Sequence, residues 1–172
     1  GSFYGNTENG KIFRYDPKTE HLQITSVSLP GNSYRRVVSS WTLAENGNLY
    51  GGITINGLLF ELNPETLSVK NLGKLYDTEN VNGLIADDGT IYGITGDYPE
   101  RSHGFCYDIE TRAYSYFGKS WNNPGRTTYW MLPLNSTSRT NGNLSDIVNL
   151  ENGWAIMAEC DFFPSLLFLK LK

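Results

Sequence analysis

The sequence of 172 residues lacks several features that identify other classes of protein. Its two cysteines, Cys106 and Cys160, are too few for a disulfide framework and have no metal-ligand spacing. No apolar run approaches the ~20 residues of a transmembrane helix. No window shows the i, i+3, i+4, i+7 apolar pattern of an amphipathic helix. These absences argue against a disulfide-rich scaffold, a helical membrane protein and a helical bundle.

Positive charge is also scarce. The formal net charge is −4 and the sequence pI is about 5.2, whereas nucleic acids and acidic membranes select proteins with a basic surface. The sequence has no phosphate-binding loop, zinc motif, dinucleotide fingerprint or nucleophile elbow. We therefore expect no nucleic-acid partner, no membrane span, no bound metal and no cofactor.

Glycine and aromatic residues are plentiful, with 18 glycines and a 13% aromatic share, which suits short strands joined by tight turns. One strand-and-turn segment recurs at residues 11–19, 57–66 and 104–111, which read Lys-Ile-Phe-Arg-Tyr-Asp-Pro-Lys-Thr, Gly-Leu-Leu-Phe-Glu-Leu-Asn-Pro-Glu-Thr and Gly-Phe-Cys-Tyr-Asp-Ile-Glu-Thr. Their phenylalanines, Phe13, Phe60 and Phe105, are 47 and 45 residues apart. A second motif, Gly-x-apolar-Tyr-Gly, precedes each segment, at residues 1–5, 47–51 and 89–93.

A repeat of about 45 residues with no helix is typical of the four-stranded blades of a β-propeller. The sequence therefore predicts an all-β fold of four-stranded antiparallel blades, with about four blades present. We expect a single propeller domain, or a fragment of one, over residues 1–172. The blades are predicted at about residues 1–30, 31–75, 76–120 and 144–172, with a long loop insertion at 119–143.

The first and last predicted blades are incomplete. With strands named a to d from the axis outward, the order is b-c-d, a-b-c-d, a-b-c-d and a-b-c, where the fourth blade matches Leu166-Leu167-Phe168 to Leu58-Leu59-Phe60. An open arc would expose an apolar blade face. We therefore expect part of a larger propeller of six to eight blades, completed by an additional polypeptide segment.

The two recurring motifs together resemble the repeats of known protein families. The Tyr-Gly motif followed by Gly-x-(Leu/Ile)-Phe-x-(Tyr/Leu)-(Asp/Asn)-Pro-x-Thr resembles the repeat of bacterial propeller proteins of the surface-layer, quinoprotein-like and gluconolactonase-like kind. It is also similar to the propeller scaffolds of some polysaccharide lyases. The resemblance implies a propeller fold and carries the expectation of an extracellular or periplasmic location. It assigns no catalytic residue, because the matching positions are turn and core positions, so function depends on the site.

The two faces of the predicted propeller differ. The a–b and c–d turns lie on one face and are short, whereas irregular loops at residues 29–36, 76–81, 96–104, 119–143 and 160–165 lie on the other. Binding and catalytic groups concentrate on variable loops carried by a rigid scaffold. We therefore predict that the loop-rich face binds a ligand.

The predicted ligand-binding residues are aromatic or cationic and belong to three of these loops: Trp121, Arg126, Tyr129 and Trp130 in the longest, Arg101 in the third, and Tyr34 and Arg35 in the first. Aromatic faces stack on sugar rings, and arginine binds a carboxylate through two hydrogen bonds. The alternative is that the two tryptophans pack the long loop against its own blade.

Residues 96–104 read Gly-Asp-Tyr-Pro-Glu-Arg-Ser-His-Gly and supply the candidate catalytic residues, His103 and Tyr98. An imidazole or a phenol can take up and return a proton at neutral pH. The alternative is a solvated loop histidine. A two-histidine metal site is not expected, because the other histidine, His21, follows a turn on the opposite face.

Two functions therefore compete. The first is a ligand-binding or interaction module, with a glycan as one ligand class. The second is a carbohydrate-active enzyme, foremost a polysaccharide lyase acting on acidic glycans, in which Arg126 or Arg101 would hold the uronate carboxylate. The sequence does not decide whether the protein is an enzyme.

Overall fold

The computed structural model of the chain describes residues 1–31, 36–75, 80–95, 103–119, 144–150, 152–159 and 166–171. These residues form fourteen strands in four antiparallel sheets, and they form no helix. The strands are β1 (Phe3–Asn6), β2 (Lys11–Asp16) and β3 (His21–Ser28) in the first sheet; β4 (Val38–Leu43), β5 (Leu49–Ile53), β6 (Leu58–Asn63) and β7 (Ser68–Lys74) in the second; β8 (Val81–Asp87), β9 (Thr90–Thr95), β10 (His103–Asp108) and β11 (Tyr114–Lys119) in the third; and β12 (Leu144–Asn149), β13 (Trp154–Glu159) and β14 (Leu166–Lys170) in the fourth.

Spatial order follows chain order in every sheet, so each sheet is a meander of hydrogen-bonded neighbours. The predicted order of strands, b-c-d, a-b-c-d, a-b-c-d and a-b-c, is confirmed. The innermost strands β4, β8 and β12 contact one another in succession, which brings the sheets together as blades around one side of an axis. The all-β propeller prediction is therefore confirmed.

A phenylalanine is paired with a glycine between the b and c strands of each of the first three blades. Gly5 faces Phe13, Gly51 faces Phe60 and Gly93 faces Phe105 in the ladders between the b and c strands. A Cβ atom on any of these glycines would overlap the ring of its partner. The glycine of the Tyr-Gly motif is therefore required for space, because the ring lies across its Cα.

The core lies between the sheets in three clusters. The first, between sheets one and two, contains Ile12, Ile53 and Phe60; the second, between sheets two and three, contains Tyr50, Leu84 and Phe105; the third, between sheets three and four, contains Tyr92, Ile147 and Met157. The phenylalanine of each c strand therefore faces the preceding blade, and the tyrosine of each b strand faces the following one.

The repeat predicts equivalent buried positions for Phe13, Phe60 and Phe105, and Phe13 departs from that prediction. Phe60 and Phe105 are fully buried, whereas Phe13 is only partly buried. By its register Phe13 points away from the second sheet, where nothing among the described residues covers it. Its neighbours on that face are exposed as well, with 64% for Phe3, 56% for Leu22 and 61% for Ile24.

The fourth blade corrects one expected match. The amide of Leu150 bonds to the carbonyl of Trp154, as Ala44 bonds to Asn48, which places Met157 at the position of Gly51. Met157 pairs with Leu167, so Leu167 and not Phe168 corresponds to Phe60. The match by sequence is therefore one residue out, and a buried methionine stands where the second blade has Gly51.

Candidate functional site

Because neighbouring strands are antiparallel, the connections fall on two opposite faces, here called the turn face and the loop face. The turn face carries the a–b turns at residues 44–48, 88–89 and 150–153 and the c–d turns at residues 17–20, 64–67 and 109–113. The loop face carries the b–c and d–a connections. Each face therefore carries two of the four kinds of connection.

The three c–d turns of the turn face share one local structure. A carboxylate or amide oxygen at the end of each c strand accepts backbone N–H groups two or three residues later: Asp16 from Lys18 at 2.9 Å, Asn63 from Thr66 at 2.9 Å and Asp108 from Thr111 at 2.7 Å. The hydrogen bond from Lys18 lowers the pKa of Asp16. A left-handed residue follows in each turn, with φ of 54° at Glu20, 55° at Leu67 and 59° at Arg112.

The loop face carries every long connection, at residues 29–37, 75–80, 96–102, 120–143 and 160–165. The two remaining b–c turns, residues 7–10 and 54–57, are short. Most residues of the long connections lie outside the described residues. The residues that flank segments 32–35 and 76–79 are described, however. In both cases one side chain joins the two flanks of the segment.

Arg36 binds the two ends of the first d–a loop. Its guanidinium donates to the carbonyl oxygens of Leu29 at 2.8 Å and Gly31 at 3.4 Å, and to that of Asn9 at 3.2 Å. The amide of Asn6 donates to the carbonyl of Arg36 at 2.8 Å. Gly31 and Arg36, which flank residues 32–35, are therefore held together beside the first blade.

Two buried nitrogen atoms in this region have no hydrogen-bond partner among the described residues, Nε of Arg36 and Nδ2 of Asn56. Each lies against a glycine with positive φ, Nε against Gly10 and Nδ2 against Gly31. A Cβ atom at either position would overlap the nitrogen, so the glycines leave the room that these side chains occupy. We therefore assign both atoms to packing of the loop and not to ligand binding.

Thr95 binds both ends of the second d–a loop. Its buried hydroxyl donates to the carbonyl of Asn80 at 2.9 Å and lies 3.5 Å from the carbonyl of Leu75. The side chain of Asn80 also accepts the backbone amide of Ile55 at 3.4 Å. A single threonine at the end of a b strand therefore joins the d–a loop to the second and third blades.

Two loops start from strands of the third blade at its end on the loop face. His103 pairs with Thr95 on one side and with Lys119 on the other. Residues 96–102 leave from Thr95, and residues 120–143 leave from Lys119. The two segments that contain most of the predicted site residues therefore start on either side of His103.

A group of tyrosines lies between the second and third blades. The ring centroids of Tyr50 and Tyr107 are 6.5 Å apart, and those of Tyr107 and Tyr114 are 4.8 Å apart. Burial raises the pKa of Tyr50 to about 12 and also raises that of Tyr107 and Tyr114. The hydroxyls bond within the protein, Tyr50 to Glu61 at 3.3 Å and Tyr114 to the carbonyl of Leu72 at 2.9 Å, so the group stabilises the interface between blades.

Most of the predicted site residues lie outside the described residues: Tyr34, Arg35, Tyr98, Arg101, Trp121, Arg126, Tyr129 and Trp130. Of His103 only the backbone is described, at the start of β10. Sequence reasoning missed Arg36 and Thr95 as residues that hold the loops. In the described part of the chain, no three His, Cys, Asp or Glu side chains are grouped to hold a metal ion, and no helix could span a membrane.

Comparison of the structure with solved structures identifies propeller proteins. The extracellular domain of the one component system protein BT4673 from B. thetaiotaomicron superposes with a TM-score of 0.66 at 18% identity, over 96% of this chain and 20% of that chain. Streptogramin B lyase gives 0.67 at 12% identity, over 98% and 48%. The WD40 repeats of RRP9 give 0.59 at 12% identity, over 92% and 41%.

The chain has a β-propeller fold. It spans between about a fifth and half of the length of these neighbours. At identities below 20% the likeness shows the fold alone. No family model matches the sequence, and no curated protein matches it.

Proposed function

We propose that this part of a propeller is a ligand-binding module that uses its loop face, with a glycan as the ligand class. The observation that supports it most is the difference between the faces. Short turns form one face, and its c–d turns repeat one structure, while Arg36 and Thr95 hold the ends of longer loops on the other. Rigid ends reduce the entropy that a binding loop loses when it closes on a ligand.

The proposed contacts come from three loops. Trp121, Tyr129 and Trp130 would stack on sugar rings, Arg126 and Arg101 would bind an acidic group, and the pair Tyr34 and Arg35 would extend the surface toward the first blade. Residues 96–102 and 120–143 start on either side of His103, which supports a joint surface for the first five residues.

The first test measures binding of neutral and acidic oligosaccharides by calorimetry. Trp130→Ala and Arg126→Ala should each weaken binding by about 2 kcal/mol or more, roughly 30-fold, with little change in melting temperature. Lys18→Ala and Glu110→Ala, at exposed positions of the turn face, are the matched controls and should leave binding unchanged. If the turn-face variants weaken binding and the loop variants do not, the wrong face has been proposed.

A second candidate function is lyase activity on acidic glycans, with His103 or Tyr98 exchanging the proton and Arg126 or Arg101 on the carboxylate. The position of His103, opposite Lys119 at the loop end of the third blade, favours it. A lyase would generate the absorbance of an unsaturated product, and His103→Gln would abolish it. Binding without formation of that product would exclude the lyase and support the binding module.

We further propose that additional polypeptide completes the propeller, in an extracellular or periplasmic protein. Exposed apolar faces at both ends of the arc support the first part. Two of the solved neighbours are described as extracellular domains, which supports the second.

A further inference from the structure

The first blade differs from the others at the edge of β1 nearest the axis. In the other three blades that position, next to the b strand, belongs to β4, β8 and β12. Among the described residues no strand pairs with this edge of β1. The edge is therefore a row of backbone groups with which a further strand can pair.

Leu43, in the second blade, indicates the same inner edge of β1. Leu43 is 65% exposed, although it ends a strand that otherwise contacts the core. The corresponding residue of the third blade, Ala86, packs against the core cluster between blades two and three. That of the fourth, Asn149, donates from its amide to Asp87 at 3.1 Å. Leu43 lacks such a neighbour in the described structure.

A cavity of about 470 Å³ opens beside Leu43 on the turn face. Tyr4, Leu43 and Leu49 are among its lining residues. By the register of the ladders, these three correspond to Tyr50, Ala86 and Ile91 of the next interface. There the same three positions belong to the cluster that contains the buried Ala44. The cavity therefore lies where a residue like Ala44, in the turn after an inner strand, would be buried.

We propose that the inner edge of β1 and this cavity together form a docking site for an inner strand and its a–b turn, supplied by a further segment of the same polypeptide. The three inner strands define its chemistry. Each begins with a branched apolar residue and has a bulge at the next position, where the side chain is polar: Val38 and Ser39, Val81 and Asn82, Leu144 and Ser145. A small apolar residue should follow in the turn, at the position of Ala44.

This inference rests on the proposal that further polypeptide completes the propeller. Glycan binding plays no part in its test, so its failure would leave the proposed loop-face site untouched, and the reverse is also true.

The test adds a copy of residues 38–46 in front of Gly1. Gly1 corresponds to Gly47, so the copy restores an inner strand and its turn in frame. Amide hydrogen exchange in Phe3–Asn6 should slow by about tenfold or more, because the inner edge becomes hydrogen bonded, and the melting temperature should rise. The matched control is an extension of the same residues in scrambled order, which should lose both effects because it presents neither the inner-strand pattern nor a small apolar residue at the position of Ala44.

A second measurement covers the case in which the extended chain does not fold. A synthetic peptide of residues 38–48 is added to the unextended chain at increasing concentration, with a scrambled peptide as control. Protection of Phe3–Asn6 by the first peptide alone supports the docking site. Unchanged exchange in both experiments, or equal protection by the scrambled peptide, would overturn it.

Discussion

A phenylalanine ring lying across a glycine is the smallest unit of this structure that explains the repeat. The sequence shows Tyr-Gly and Phe at fixed intervals, and the ladders place each glycine opposite its phenylalanine. The ring then faces the preceding blade. These two residues therefore fix both the spacing inside a blade and the packing between blades.

At Gly51 a methyl group should be costly. Phe60 is fully buried and packs edge-on against Trp41, with ring centroids 5.1 Å apart, so its ring has no room to move. Gly51→Ala should lower the free energy of unfolding by about 1–3 kcal/mol, as overpacking of a core usually does. Urea denaturation at constant m-value measures the change.

The matched control is Gly5→Ala, which meets Phe13 in the same way. Phe13 is only partly buried, so its ring can turn into solvent, and the loss should stay below about 1 kcal/mol. Combining Gly51→Ala with Phe60→Leu should cost less than the sum of the two changes. Equal losses at Gly5 and Gly51, or strict additivity, would contradict the contact as the cause.

At the scale of strands and turns, the sequence predicts the structure well where local chemistry decides. All three c–d turns lie in the recurring strand-and-turn segments, each with an Asp or Asn oxygen that accepts backbone N–H groups, and the strand order of each blade is as predicted. The left-handed residues Glu20, Leu67 and Arg112 could not be predicted, because glycine is the usual signal for positive φ and none of them is glycine.

The site is less predictable than the fold for a physical reason. Arg36 and Thr95 act through backbone carbonyls of other segments, and a carbonyl leaves no mark in the sequence. Nothing in the composition of either loop indicates which side chain holds its ends. The predicted contact residues, such as Trp121 and Trp130, remain predictions, because their placement depends on loops and not on the repeat.

Thr95 provides the test at this scale. Thr95→Val keeps the shape of the side chain but removes the hydroxyl that donates to the carbonyl of Asn80. The free energy of unfolding should fall by about 1 kcal/mol, and hydrogen exchange at Asn80 and Val81 should accelerate. Thr95→Ser keeps the hydroxyl and should preserve slow exchange. Fast exchange in the serine variant with slow exchange in the valine variant would exclude the proposed hydrogen bond as the anchor.

At the scale of the whole molecule, the arc has two different ends. The free face of the first sheet carries Phe3, Leu22 and Ile24, and that of the fourth carries Val148, Leu166 and Phe168, all of them more than half exposed. The first is the kind of face that receives a preceding blade, and the second is the kind that receives a following one. Such surfaces are complementary head to tail, as the three internal interfaces already are.

A chain with two complementary ends should associate when it is isolated at high concentration. The contact is heterologous, so each molecule uses its first sheet against the fourth sheet of another. Ile24→Asp or Val148→Asp should each suppress association, because a carboxylate would be buried in the contact. A mixture of the two variants still contains one intact face of each kind and should form a one-to-one complex, which sedimentation velocity can measure.

The control for added charge is Gln23→Asp, next to Ile24 on the other side of β3 and also exposed, which should associate like the unmodified chain. Two results would count against the head-to-tail contact. A monomer at all concentrations would mean that the end faces have little affinity for each other. Association of the mixture no stronger than that of either variant alone would mean that like faces meet, because only a heterologous contact can be restored by mixing.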